Sequence, residues 1–200
     1  MNGRLWRLAF LGAVVLGGYS TIGHWPRQHP LVLEMPHWIP FVPELAPPYL
    51  ALLLLGWFLP LAIRDSLRFR RCLFATTVAL LLIAPWWLIV PTVLPRPTPD
   101  PGWGTLVYRW LILIDAPTNI MPCAHAVTPL TAAWFLSQER PAWRPWLLAM
   151  LLLGMPSIAM TWQHRPSDIA WGCAMAAVGI IIAEYTGARK LNKITLSGEN

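Results

Sequence analysis

Asn119-Ile120-Met121-Pro122-Cys123-Ala124-His125 leads into an apolar run that continues to Leu136. Proline is favoured at the first position of a helix, because its missing N–H would find no partner there and its φ is already set. The spacing therefore predicts a membrane helix from Pro122 to Leu136 with His125 in its first turn. The same device recurs at Pro166, which opens a second apolar run; His164 stands just before it and Asp168 falls in its first turn. Two helix starts thus each carry a histidine at a helix N-terminus, where free N–H groups and a partial positive charge favour an anion. Arg96, earlier in the chain, adds a guanidinium. Two histidines, a carboxylate and an arginine around an anion site point to phosphate chemistry.

Outward from this stretch, composition sets the class. Of 200 residues 56% are hydrophobic and only 12% charged, with 13 Trp and 21 Pro. Long apolar runs in so uncharged a chain make it an all-α integral membrane protein, and its length fits one membrane domain over residues 1–200. A net charge of +6 would suggest nucleic acid as partner in a soluble chain. Here the basic residues flank apolar runs, so topology and anionic lipid account for them and no nucleic-acid partner is expected. Cys72, Cys123 and Cys173 show no paired spacing, hence no disulfide framework and no zinc site. There is no internal repeat and no nucleotide-binding glycine loop.

The pattern predicts six spans. Leu5–Ile22, behind Arg4 and Arg7, reads as a first membrane helix rather than a cleaved signal, since its small-residue cleavage pattern is weak. His24–Pro48 is a loop too broken by proline for a helix. Its histidines, His24, His29 and His37, match no metal-ligand spacing. Pro48–Ile63 is the second span and Arg64–Arg71 a basic turn. Cys72–Val90 is the third span, bent at Pro85. Leu106–Ile114, interrupted by Arg109, is too short to cross and is expected at the interface, before the fourth span Pro122–Leu136. Trp146–Thr161 and Pro166–Tyr185 are the fifth and sixth.

With six spans both termini share one side. That side holds Arg4, Arg7, Arg64, Arg68, Arg70, Arg71, Arg140, Arg144, Arg189, Lys190 and Lys193; the other holds Arg27, Arg96, Arg109 and Arg165. Eleven against four makes the first side cytoplasmic. Arg96, His125, His164 and Asp168, chosen for their chemistry alone, then all fall at the outer face. A compact chain of this kind fits a bacterial inner membrane.

Pro122-Cys123-Ala124-His125 resembles the Pro-Ser-x-His motif of the type-2 phosphatidic acid phosphatase superfamily. His164-Arg165-Pro166-Ser167-Asp168 resembles its His-x-x-x-Asp motif, with Gly172 where members often carry glycine. Asp115-Ala116-Pro117-Thr118-Asn119 and Pro95-Arg96-Pro97 look like the inositol phosphorylceramide synthase-like branch. The resemblance covers about residues 39–172 and implies a six-span bundle acting on a phospholipid or polyprenyl phosphate, with a lipid as a further acceptor. Three positions depart from the family. Cys123 stands where serine is usual, Ile89 where a lysine is usual, and Ile158 where an arginine is usual. The loss of two cations makes a water-soluble, highly charged substrate less fitting.

The residues carry a chemistry that needs no metal and no cofactor. His164 can attack phosphorus through a neutral ring nitrogen and form a phosphohistidine, with Asp168 holding its other N–H. His125, protonated, can donate to the leaving alcohol, since an ordinary imidazole titrates near working pH. Arg96, with Arg165 or Arg109, can clamp phosphate oxygens; Cys123 replaces one hydroxyl contact to phosphate. Asn119 either touches substrate or caps the following turn. Water as acceptor gives a phosphatase, a lipid hydroxyl a phosphotransferase. Two other classes stay open: a non-catalytic lipid-binding membrane protein, and a membrane haem protein with His125 and His164 as axial ligands, which needs a porphyrin-sized space between the rings.

Overall fold

The computed structural model describes residues 2–24 and 29–197, with the side chains of 2, 24, 114 and 188–197 left aside. Arg27 lies outside the described residues, as do the side chains of His24, Arg189, Lys190 and Lys193. The described chain is all-helical apart from a two-stranded cap. Its helices are α1 Asn2–His24, α2 Ala46–Phe58, α3 Ser66–Ile89, α4 Leu106–Ile114, α5 Val127–Glu139, α6 Arg144–Met160 and α7 Pro166–Ser197. Five stretches are long and apolar enough to cross a membrane: Gly3–Gly23, Pro43–Ala62, Ser66–Ile89, Pro141–Met160 and Pro166–Gly187. The protein is therefore an integral membrane protein.

Two expectations are corrected. Arg64–Arg71 is not a turn throughout. The Asp65 carboxylate accepts the Arg68 amide at 2.6 Å, an N-cap that starts α3 at Ser66 and makes most of the basic stretch helical. Nor does Pro122 open a helix. Cys123 is extended, with φ −76° and ψ 108°, so helical structure begins with a tight turn at Ala124–Ala126 that leads into α5. His125 still lies in the first turn. At Pro166 the reading holds: α7 starts there, with Asp168 in its first turn.

Small residues let the helices approach closely, which is how apolar helices associate where lipid removes the usual hydrophobic drive. α3 and α7 share the most extensive contact, and a side chain at Gly179 would run into the Ala75 carbonyl of α3. On α2, Gly56 lies against Pro129 of α5, where an added Cβ would meet the backbone nitrogen at 2.8 Å. Thr76 and Thr131 join α3 to α5 through a buried 2.8 Å hydrogen bond between their hydroxyls. Phe69, Cys72, Ala75, Phe135 and Leu136 fill the core around this contact. α1 is the exception, with only 6% of its apolar stretch buried. It is held at both ends: Arg4 donates to the carbonyls of Ile63 and Arg64, and Tyr19 donates to Asp115 at 2.9 Å.

The two ends of the bundle differ. One carries Arg4, Arg64 and the Arg71–Glu184 ion pair, and there Glu139 accepts the amides of Arg64 and Asp65 at 2.7 and 3.1 Å. The other carries the site-forming loops, tied by β1 (Leu31–Val32) running parallel to β2 (Thr92–Val93). Val93 also bridges to Thr118, and Leu94 donates to the Pro117 carbonyl at 3.1 Å. Three connections thus meet under a small apolar knot of Leu33, Leu94 and Ile120. Val32, Thr92 and Val93 of the two strands are β-branched, which suits the extended conformation.

Gly179→Leu overpacks the α3–α7 contact, at a cost of about 1–3 kcal/mol. Gly17 on α1 has open space around it. Thermal unfolding in detergent is expected to show a lowered midpoint for Gly179→Leu and no lowering for Gly17→Leu.

Candidate functional site

His164 sits in the connection between α6 and α7. There the chain leaves α6 through Trp162, at a positive φ of 53°, and the amides of Gln163 and His164 both turn back to the Ile158 carbonyl. The ring is 1% exposed. Its Nδ1 lies 2.6 Å from the Ile120 carbonyl oxygen. A carbonyl can only accept, so Nδ1 carries the hydrogen and Nε2 presents its lone pair. That lone pair meets His125 Nδ1 at 2.8 Å. His125 therefore donates from Nδ1 to His164 Nε2, and its own Nε2 is left as an acceptor. The ring centroids are 4.9 Å apart and nearly edge-on. Tyr49 packs edge-on to His125 from α2, with its hydroxyl 3.4 Å from Nδ1.

The carboxylate expected to hold His164 has other partners. Asp168 is fully buried. It accepts the Arg165 amide at 3.0 Å and pairs with the Arg165 guanidinium, at 3.0 Å from Nε and 2.8 Å from Nη2. The chain folds back between His164 and Pro166, so the carboxylate serves the start of α7 and Arg165, while the Ile120 carbonyl takes the role assigned to it at His164. The Asp168 backbone carbonyl also accepts the Cys123 amide at 3.0 Å, which staples the Pro122-Cys123 segment to α7. Gly172 allows this, since any side chain there would strike the Cys123 carbonyl.

Arg96 is drawn to the same end but is engaged. It donates to the Asp115 backbone carbonyl at 2.5 Å and to its carboxylate at 3.2 Å, and Asp115 accepts Tyr19 through its other oxygen. Asn119 neither caps the next turn nor faces the histidines with its amide. Its backbone takes the left-handed conformation, φ 57°, which asparagine tolerates. Its Nδ2 donates to the Tyr19 carbonyl at 3.2 Å, pinning α1. Arg109 is exposed on α4. Cys123 is buried with its sulfur beside both histidine rings. Of the residues chosen from sequence, His125, His164 and Cys123 form one cluster, buried Asp168 and half-buried Arg165 an ion pair beside it, and Arg96 and Asn119 a neighbouring scaffold. Asp115 and Tyr19 were not foreseen as its members. The one usable signal for Tyr19 was a phenol in the otherwise apolar first run.

A cavity of about 310 Å³ reaches this cluster at His125. Its polar end is made by Tyr19, Tyr49, Asp115 and His125. From there it runs along α1 and α2 between Leu16, Leu50, Leu53, Trp57 and Leu80. An apolar pocket with a few convergent polar groups is the usual form of a small-molecule site, and this one lies at the small end of the usual range. The 2.8 Å separation of the two ring nitrogens leaves no porphyrin-wide gap between them. The charges balance locally: Arg96 faces Asp115 and Arg165 faces Asp168. Comparison of the chain with protein families, curated proteins and solved structures finds no match.

Burial pushes the His164 pKa well below its ordinary value, the adjacent His125 pushes the same way, and the hydrogen bond to Ile120 opposes both. The unfolded chain takes up a proton at this residue near pH 6.5 and the folded one only at lower pH. Stability from this group is thus complete above about pH 6.5 and falls as the pH drops toward the folded value. Nitrogen-15 NMR of histidine-labelled protein is expected to show a neutral His164, protonated on Nδ1, at pH 6. A protonated His164 ring at pH 6 contradicts the assignment.

Proposed function

We propose that the chain is a membrane enzyme of the type-2 phosphatidic acid phosphatase kind, a phosphatase or phosphotransferase working on lipid phosphates through a phosphohistidine. The observation that carries this is the convergence of His125 and His164, from separate segments, to hydrogen-bond distance, with His125 lining an apolar cavity. The cavity suits a lipid chain. In this reading α5 with its leading turn is a sixth span, and α4 lies at the membrane interface. The arginine-rich end faces the cytoplasm of a bacterial cell, so the histidines lie at the outer face of the inner membrane.

The geometry supports a definite division of labour. His164 is the nucleophile, because the Ile120 carbonyl leaves its Nε2 lone pair free. A phosphate seated between the rings replaces their mutual hydrogen bond and draws a second proton onto His125. Nε2 of His164 then forms a bond to phosphorus, the bond from phosphorus to the leaving oxygen breaks, and His125 gives that oxygen a proton. Water or a lipid hydroxyl next attacks the phosphohistidine, passing its proton to His125 and releasing His164. Asp168 acts through Arg165, which it holds against the site. The scheme requires no metal.

A second reading, a lipid-binding protein without catalysis, draws support from the pairing of both arginines with carboxylates. Purified protein assayed on phosphatidic acid, polyprenyl diphosphate and phosphatidylinositol, with and without a lipid acceptor, separates the two. We expect turnover and an acid-labile, alkali-stable phosphoenzyme, both abolished in His164→Ala. His125→Ala is expected to lower kcat by about 10²–10⁴-fold, and by less on an ester whose leaving group needs no proton. Turnover surviving in His164→Ala excludes this mechanism; absence of both turnover and phosphoenzyme in the wild type leaves the lipid-binding reading.

A further inference from the structure

The spacing of the cysteines along the chain offers no zinc site, yet folding brings one of them to the histidine pair. The sulfur of Cys123 and one ring nitrogen each of His125 and His164 all lie within 4.8 Å of one another. A zinc ion bound at about 2.3 Å from sulfur and 2.0–2.1 Å from nitrogen holds such atoms roughly 3.3–3.7 Å apart. To meet that geometry the histidine nitrogens, now at 2.8 Å, part by about half an ångström, and the sulfur, within 4.8 Å of them, closes by up to about 1.3 Å.

The surroundings favour a metal in three further ways. The His164 Nδ1–H is held by a backbone carbonyl, the outer contact that fixes the tautomer and aim of a metal-binding imidazole. His125 reaches its ligating form by moving its proton from Nδ1 to Nε2, with no change of charge. The two arginines nearby are each neutralised by a carboxylate, so neither opposes a cation as a bare charge. The donor set is one sulfur and two nitrogens, which suits zinc and excludes the oxygen-seeking magnesium and calcium. His125 lines the cavity, which leaves a fourth position open on that side.

We propose that Cys123, His125 and His164 form a zinc site, and that zinc bound there switches off the phosphoryl chemistry. Binding releases the thiol proton of Cys123 to solvent, and the metal occupies the Nε2 lone pair of His164. One lone pair cannot bond zinc and phosphorus together, so inhibition follows. The binding stands on geometry alone; the inhibition rests on the proposed function.

The test uses the full chain in detergent, with zinc in equilibrium dialysis and cobalt(II) as an optical probe of thiolate ligation. Wild type is expected to bind one ion per chain and to give an intense near-ultraviolet thiolate-to-cobalt band. Cys123→Ser should lose the band and bind at least tenfold more weakly, while Cys72→Ser, Cys173→Ser and a variant with alanine at His24, His29 and His37 keep both. His125→Gln gives a second reading of the same band should Cys123→Ser fail to fold. Absence of stoichiometric binding, or a band that survives in Cys123→Ser or His125→Gln, overturns the site. Zinc should inhibit the wild-type reaction, and inhibit the residual activity of Cys123→Ser only at a concentration at least tenfold higher. Turnover without zinc binding refutes the site and keeps the proposed function; zinc binding by a protein inactive on every lipid phosphate keeps the site and refutes the inhibition.

Discussion

The Ile120 carbonyl accepts a hydrogen bond from His164 at 2.6 Å, and that choice of acceptor decides which nitrogen of each ring is free. With Nδ1 committed, Nε2 of His164 has a lone pair and His125 must be the donor between them. Had Asp168 been the partner, a buried charge would have drawn a proton onto the ring and favoured an imidazolium. A carbonyl fixes the same tautomer while leaving the ring neutral. Neutrality agrees with the burial of the ring, because a charged imidazole here would lack compensation.

That bond depends on the position of Ile120, and the cap supplies it. The Ile120 amide donates to the Thr92 hydroxyl at 3.0 Å, Trp87 donates to the Pro122 carbonyl at 3.1 Å, and Cys123 donates to the Asp168 carbonyl at 3.0 Å. The stretch from Trp87 to Thr92 and the start of α7, far apart in sequence, therefore hold one short loop. The ion pairs Arg96–Asp115 and Arg165–Asp168 belong to this scaffold. Removing one member of such a buried pair typically costs about 3–5 kcal/mol, so the pairs confer rigidity on the loop as much as charge.

Much of this was legible in the chain. Apolar length and proline at helix starts located α7 and the histidine ahead of it, because helix initiation is a local property. The basic residues sorted to one end for the same reason: position relative to an apolar run is read directly. The start of α5 was misplaced because Cys123 is held extended by its bond to Asp168, a partner 45 residues later. The role of Asp168 was misassigned because spacing shows which residues are near, not which way the chain turns between them. The cysteine at 123 looks solitary in sequence because metal spacings compare neighbours along one segment, whereas the histidines beside it come from two. Asp115 stands in a quoted motif without a role and Tyr19 is not singled out, for a similar reason: an isolated phenol in an apolar run has no local sign of its acceptor.

The tether of Tyr19 to Asp115 has a consequence for how the protein is made. The two residues are 96 positions apart, and Asn119 reaches the same turn of α1 across 100. During synthesis α1 enters the bilayer first, and the groups that anchor its C-terminal end through Tyr19 do not exist until α4 has left the ribosome. Across that interval α1 has its Arg4 contacts to the α2–α3 turn and its packing on α3, where Tyr19 meets Trp87 edge-on. Biogenesis of the cavity is thus a late event, completed when an already inserted segment docks onto a loop translated long after it.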